Sequence, residues 1–155
     1  MLESLGGVDP ARIRIEPPMG TATVEDVIEI EERENRLFEL VDGILVEKVM
    51  GYTASRIASR LIAALEAYVD ANDLGAVTGE GGMFRMPENL VRIPDVAFAG
   101  WDQFPNHELP AEGAPEIVPD LAVEVLSKGN TKAEMARKLR EYFAVGVTTV
   151  WFVDP

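Results

Sequence analysis

Apolar and polar positions recur along this chain in patterns that predict its elements one by one. Residues 37–49 read LFELV, then Asp42-Gly43, then ILVEKV. Two alternating apolar runs about an Asp-Gly pair predict a β-hairpin, because that pair tolerates the left-handed backbone of a tight turn. Between residues 54 and 71, Ile57, Leu61, Leu65, Tyr68 and Val69 return every three or four positions, which predicts a long amphipathic helix. Asn72, Asp73 and Gly75 end it. Residues 76–79 and 83–86 are short strand candidates on either side of a glycine-rich turn. That turn has no phosphate-loop lysine and no helix directly behind it, which excludes a nucleotide-binding loop. Within residues 90–100, LVRIPDVAFAG, Pro94 predicts a strand that starts at Asp95, since proline is tolerated only at a strand's beginning or edge.

The C-terminal stretch carries the strongest pattern. Residues 121–126, LAVEVL, read as a strand apolar on both faces, yet Glu124 stands in its middle. Thr131 and Glu134 predict a capping box at the start of a helix. Met135, Leu139, Tyr142 and Phe143 form its core stripe, with Lys138 at the edge of that stripe and Arg137 facing away. Gly146 is placed to end the helix, and residues 147–153 read as a second apolar strand. A strand, helix and strand of these lengths make a right-handed crossover with the two strands parallel. Upstream, residues 1–22 hold several glycines and prolines without periodicity and are expected to form a flexible arm. Thr23 and Asp26 then predict a capped short helix reaching about residue 31. Residues 101–119 form a long proline-rich connection, a length typical of lids and binding loops, with Trp101 and Phe104 tethering its start.

Composition narrows the function. A chain of 155 residues supports a single domain, here residues 23–155. With no cysteine, disulfides, thiolate metal sites and a cysteine nucleophile are excluded, and one histidine, His107, cannot build a multi-histidine zinc site. No apolar run reaches membrane-spanning length and no signal pattern opens the chain, so a cytoplasmic protein without a membrane partner is expected. The net charge of -13 argues against broad attraction to nucleic acid. That charge is uneven, however. Residues 25–34 are acidic, while Lys128, Lys132, Arg137, Lys138 and Arg140 gather against Glu134 alone. A solvated helix face accounts for most runs of this kind.

Chemistry concentrates on two acids. Burying Glu124 alone is very costly, so it must be paired, metal-bound or protonated. Asp95 begins the other strongly apolar strand. If the two strands are neighbours, the carboxylates meet and offer the hard oxygen ligands that suit Mg2+ or Mn2+. A lysine on the following helix could approach the same place; Lys138 and Lys132 compete for that role. Plainer readings stand beside these. Asp95 caps a turn after Pro94, Lys138 snorkels at a helix edge, and Glu39 and Glu47 lie on the solvated face of their hairpin. Asp120 starts a strand, His107 is a surface histidine, and Ser127 forms a turn without a histidine base to activate it.

The segments FELVDGILVEK, RIPDVAFAGW and PDLAVEVLSKGNTKAEMARKLREYFAVGVTTVWFVDP together strongly resemble the Uma-two family of restriction-endonuclease-like proteins. The resemblance runs from about residue 37 to residue 155. It implies membership of the PD-(D/E)xK nuclease superfamily: an α/β (α+β) fold with a mixed β-sheet flanked by helices, here with an N-terminal β-hairpin. It also implies metal-dependent hydrolysis of DNA phosphodiester bonds, with Asp95 and Glu124 as the acids. The superfamily lysine would fall two residues after Glu124, where this chain has Leu126, so its role passes to Lys138 on the next helix. Glu39 is the candidate for a further upstream acid, and the Val125 carbonyl for a further ligand of Mg2+ or Mn2+. The family usually continues beyond the VDP motif, so the sheet is expected to lack a final hairpin in this chain. The alternative is a nuclease-fold module without turnover, acting in binding or regulation as a homodimer paired along an open sheet edge.

Overall fold

Local signals start and stop the elements of the computed structural model, which describes residues 3–155; Met1 and Leu2, the tip of the expected arm, lie outside the described residues. Thr23 accepts from the Asp26 amide while the Asp26 carboxylate takes the Thr23 amide, and this reciprocal cap opens α1 (Val24–Glu34). Strands β2 (Phe38–Val41) and β3 (Ile44–Glu47) form the hairpin, with Asp42 at φ 51° and Gly43 at φ 69° in its turn. A Cβ at Gly43 would lie 2.5 Å from the backbone of Gly20, so the position needs glycine on two counts. Helix α2 (Tyr52–Ala71) buries Ala54, Ala58 and Val69. Tyr68, expected in its core stripe, is 65% exposed instead. Val69 continues the four-residue row through Ala54, Ala58, Leu61 and Leu65, and leaves Tyr68 beside it.

The strands divide between two sheets. One is antiparallel, in the order β1-β3-β2-β6-β5, with β1 (Ile13–Arg14), β5 (Phe84–Met86) and β6 (Leu90–Arg92). The other, β4-β7-β8-β9, contains β4 (Gly75–Thr78), β7 (Val96–Gly100), β8 (Leu121–Val125) and β9 (Thr149–Val153). It is mixed: β4, β7 and β8 pair antiparallel, and β8 pairs with β9 in parallel. The α/β fold expected from sequence is therefore present, with its strands shared between two sheets. Residues 90–100 supply a strand to each of them. Pro94 has no N–H for a ladder, and the chain crosses from β6 to β7 there, so the second strand starts at Val96 rather than Asp95.

Helix α3 (Lys132–Val145) makes the crossover from β8 to β9 and ends at Gly146, φ 107°. Thr131 caps the Glu134 amide, but the Glu134 carboxylate turns to Arg12 and Asn130, so only half of the expected capping box forms. The buried face comprises Glu134, Met135, Lys138 and Tyr142, while Phe143 is 51% exposed. Lys138 thus lies within the buried row, not at its edge. Counting apolar residues alone misplaced the row because this face packs against charge. Along the outer strand β9, Trp151 and Phe152 stay partly exposed.

Residues before α1 pack on this frame. Leu5 and Val8 are buried in a cluster with Ile44, Val46 and Tyr142, the Gly6 carbonyl accepts from the Thr131 hydroxyl, and β1 pairs with β3. Among the described residues, no helix is long and apolar enough to cross a membrane.

Candidate functional site

Strand register brings the two acids together. Val96 pairs with Val123, and the Asp95 amide donates to the Val123 carbonyl at 2.9 Å, so Asp95 stands opposite Glu124. Directly opposed residues of an antiparallel pair share a face. In the first sheet Glu39 pairs with Val46, and Lys48, two positions beyond Val46, follows on the same side. From α3, Lys138 and Tyr142 reach in one turn apart.

These side chains form one buried network. Lys48 Nζ lies 2.7 Å from Asp95 Oδ1 and 3.5 Å from Glu124 Oε2. Lys138 Nζ is 3.1 Å from Glu39 Oε1 and 3.1 Å from each Glu124 oxygen. The Tyr142 hydroxyl donates to Glu124 Oε1 at 2.7 Å, and the Val125 amide donates to Asp95 Oδ2 at 2.6 Å. Glu39 Oε2 accepts from Arg92 at 2.7 Å and its Oε1 from the Ile93 amide at 3.2 Å. Three buried carboxylates, Glu39, Asp95 and Glu124, therefore face three buried cations, Lys48, Arg92 and Lys138. At the rim Arg92 also meets Glu141, which Arg137 offsets.

Burial and pairing pull in opposite directions on these groups. Burial alone would favour a neutral Glu39, but Lys138, Arg92 and Lys48 outweigh it and hold the carboxyl well below the usual range. Glu124 is lowered in the same way: burial opposes its charge, and Lys138 and Lys48 overcome that. Burial would also discharge Lys48, yet Glu124, Glu39 and Asp95 raise its pKa. Desolvation, then the Glu124 and Glu39 charges, pushes the Tyr142 phenol well above its ordinary value. Tyr142 consequently serves Glu124 as a neutral hydrogen-bond donor.

A cleft of about 440 Å³ opens over Lys48, Asp95, Glu124, Val125 and Lys138, with Arg12 and Lys128 on its walls. Glu39, Asp95 and Glu124, and Lys138 of the two competing lysines, belong to the network beneath it. Glu39 is not on a solvated hairpin face; it is 1% exposed, whereas Glu47 pairs with Arg36 at the surface. Lys132 is exposed and does not line the cleft. Asp120 accepts from the Gly100 amide at 2.8 Å, as a strand-start acid would. Ser127 bonds to Asn130, and exposed His107 stacks on Trp101. Sequence reasoning missed Lys48 and Arg92, and read Tyr142 as core alone. The alternation Ile44, Val46, Lys48 was the available signal for Lys48, because it continues the buried side of β3 into the charge.

The donor set suits a hard divalent ion. Asp95 Oδ1 and Glu124 Oε2 converge on a single cation, Lys48 Nζ, at the floor of the cleft. No group of three or more Asp, Glu, His or Cys side chains is arranged to hold a metal among the described residues. Two carboxylates, with waters and substrate phosphate completing the shell, are nevertheless a usual manner of Mg2+ binding.

Residues 24–155 match the Uma2 family, described as "putative restriction endonuclease". The chain belongs to the Uma2 family. No curated protein matches it. A solved structure of similar fold is a "putative nuclease belonging to DUF820" from Anabaena variabilis, with a TM-score of 0.65 and 19% sequence identity. The likeness covers 77% of this chain and 66% of that one, just under two thirds of its length. The family match places the chain among proteins described as putative restriction endonucleases, and the structural likeness shows a shared fold.

Proposed function

We propose that this Uma2 protein is a metal-dependent endonuclease that hydrolyses DNA phosphodiester bonds in the cytoplasm. One observation carries the reading: Asp95 and Glu124, buried and opposed on adjacent strands, converge on one cation position at the floor of an open cleft. In this reading Asp95, Glu124 and the Val125 carbonyl hold Mg2+ or Mn2+. When bound, such an ion polarises a phosphate oxygen and acidifies a water. The chain's own residues set up the site around it. The Val125 amide fixes the rotamer of Asp95, and Tyr142 and Lys138 fix that of Glu124 and keep it ionised. Lys138 was the sequence candidate for orienting the attacking water. All three of its contacts run to carboxylate oxygens, so we assign it to positioning Glu124 and Glu39. Glu39 acts further back, as the acid that anchors Lys138 and Arg92. On the cleft walls Lys128 offers a positive charge, while Arg12 is paired with Glu134 and Asp9 also lines the cleft.

The test is cleavage of DNA by purified protein with Mg2+ or Mn2+, against Asp95→Asn and Glu124→Gln. Loss of cleavage in both variants supports the assignment, and cleavage that survives both removes it. A second reading, a module that keeps the fold without turnover and acts as a homodimer, draws on the charge balance of the network, which needs no metal to be neutral. It predicts that the wild type neither cleaves nor binds Mn2+.

A further inference from the structure

The oxygens of the two central acids are not equivalent. Asp95 Oδ2 is taken by the Val125 amide and Glu124 Oε1 by the Tyr142 hydroxyl, while Lys138 reaches both Glu124 oxygens from the inner side. Asp95 Oδ1 and Glu124 Oε2, the two oxygens that neither Val125 nor Tyr142 takes, are bridged by Lys48 Nζ at 2.7 and 3.5 Å. A divalent ion that bridges both acids from the cleft meets these same two oxygens. Charge leads to the same point. The buried network already matches three carboxylates with three cations, so adding a divalent ion beside Lys48 would leave two uncompensated positive charges in a poorly solvated place, at high cost. Removing Lys48 from the cluster as the ion enters leaves one, which a single phosphodiester charge would cancel. Lys48 can leave, unlike Lys138. Both lysines line the cleft, but Lys48 stands just past the end of β3, whereas Lys138 projects from within α3 and is held by Glu39 as well as by both oxygens of Glu124.

We propose that Lys48 is a tethered counter-ion that holds the metal position in the metal-free protein. The divalent ion displaces it into the cleft, where its ammonium meets the phosphate of the nucleic acid. The inference rests on the metal-dependent reading above and adds an exchange of cations to it. It also gives the site a safeguard: without metal, the acids are quenched and the phosphate-binding lysine is withdrawn.

Two measurements on the full chain test it. Calorimetric titration with Mn2+ compares wild type with Lys48→Met. Removing a competing unit charge at this separation should tighten Mn2+ binding by about tenfold or more. Equal or weaker binding by Lys48→Met would overturn the exchange while leaving a metal site in place. Absence of Mn2+ binding in both proteins would overturn the exchange and the metal-dependent reading together. Should Lys48→Met not fold, reductive methylation of the wild type followed by mass spectrometry reads the same exchange. Lys48 should be protected without Mg2+ and labelled with it, while Lys138 stays protected in both. Labelling of Lys48 that is indifferent to Mg2+ would contradict the proposal.

Discussion

Glu124 is the residue on which the network converges, since Lys48, Lys138 and Tyr142 all reach its two oxygens. A carboxylate so enclosed depends on its partners more than they depend on it, because an unpaired buried charge is costlier than a lost contact. Lys138 is the partner that Glu39 and Glu124 share. Lys138→Met should therefore destabilise the fold by about 3 kcal/mol or more, measured by urea denaturation, because it removes a buried counter-ion that two buried acids share. A loss of under about 1 kcal/mol, the size of an exposed ion pair, would mean that Lys138 is not the common counter-ion. At this scale the acids were legible in the sequence. A charge inside an apolar run such as LAVEVL or before VAFAG has few ordinary explanations. Lys48 was not, because a lysine ending a hairpin strand is normally solvated. Only the packing of the first sheet against the second brings it to Asp95.

Elements with local punctuation were readable, and those defined by partners were not. The Thr23–Asp26 cap, the Asp42-Gly43 turn and the left-handed Gly146 each act within a few residues, and each appears where the sequence put it. Membership of a sheet is a long-range property. The split of residues 90–100 into β6 and β7 is signalled only by Pro94, which marks a break without saying where the chain goes next. The face that α3 buries was misjudged for a related reason: it is part polar, with Glu134 and Lys138 inside and Phe143 outside. The hairpin turn offers a sharp test, since it sets the register that aims Glu39 and Lys48 at the site. Gly43→Ala should cost about 1–3 kcal/mol, because a left-handed backbone and the close approach of Gly20 both oppose a side chain. A urea midpoint unchanged from wild type would show that the turn does not need glycine.

For the whole molecule, two sheets and α3 enclose a charge-balanced core that makes stability depend on pH from both sides. Glu39 and Glu124 have pKa values lowered from the ordinary 4.5, so their stabilisation is present above that value. It is lost as pH falls through the depressed folded values, when the buried cations lose their partners. Lys48 and Tyr142 are raised from 10.5 and 10.0, so their stabilisation is complete below those values and is lost only as pH rises through the folded ones. Urea midpoints across pH should show a plateau from mildly acidic to mildly alkaline conditions, with a steep acid limb that shrinks in Glu39→Gln. An acid limb of the same size in Glu39→Gln would mean that other carboxylates set it. The nuclease reading itself rests on the molecule's ability to take a divalent ion where Lys48 now sits. A crystal of the protein soaked in Mn2+ and measured for anomalous scattering reads this directly. The expected result is an anomalous peak bound by Asp95 Oδ1 and Glu124 Oε2, with Lys48 turned away into the cleft. A map without a peak at these two carboxylates, at Mn2+ levels that support or fail to support cleavage, would contradict it.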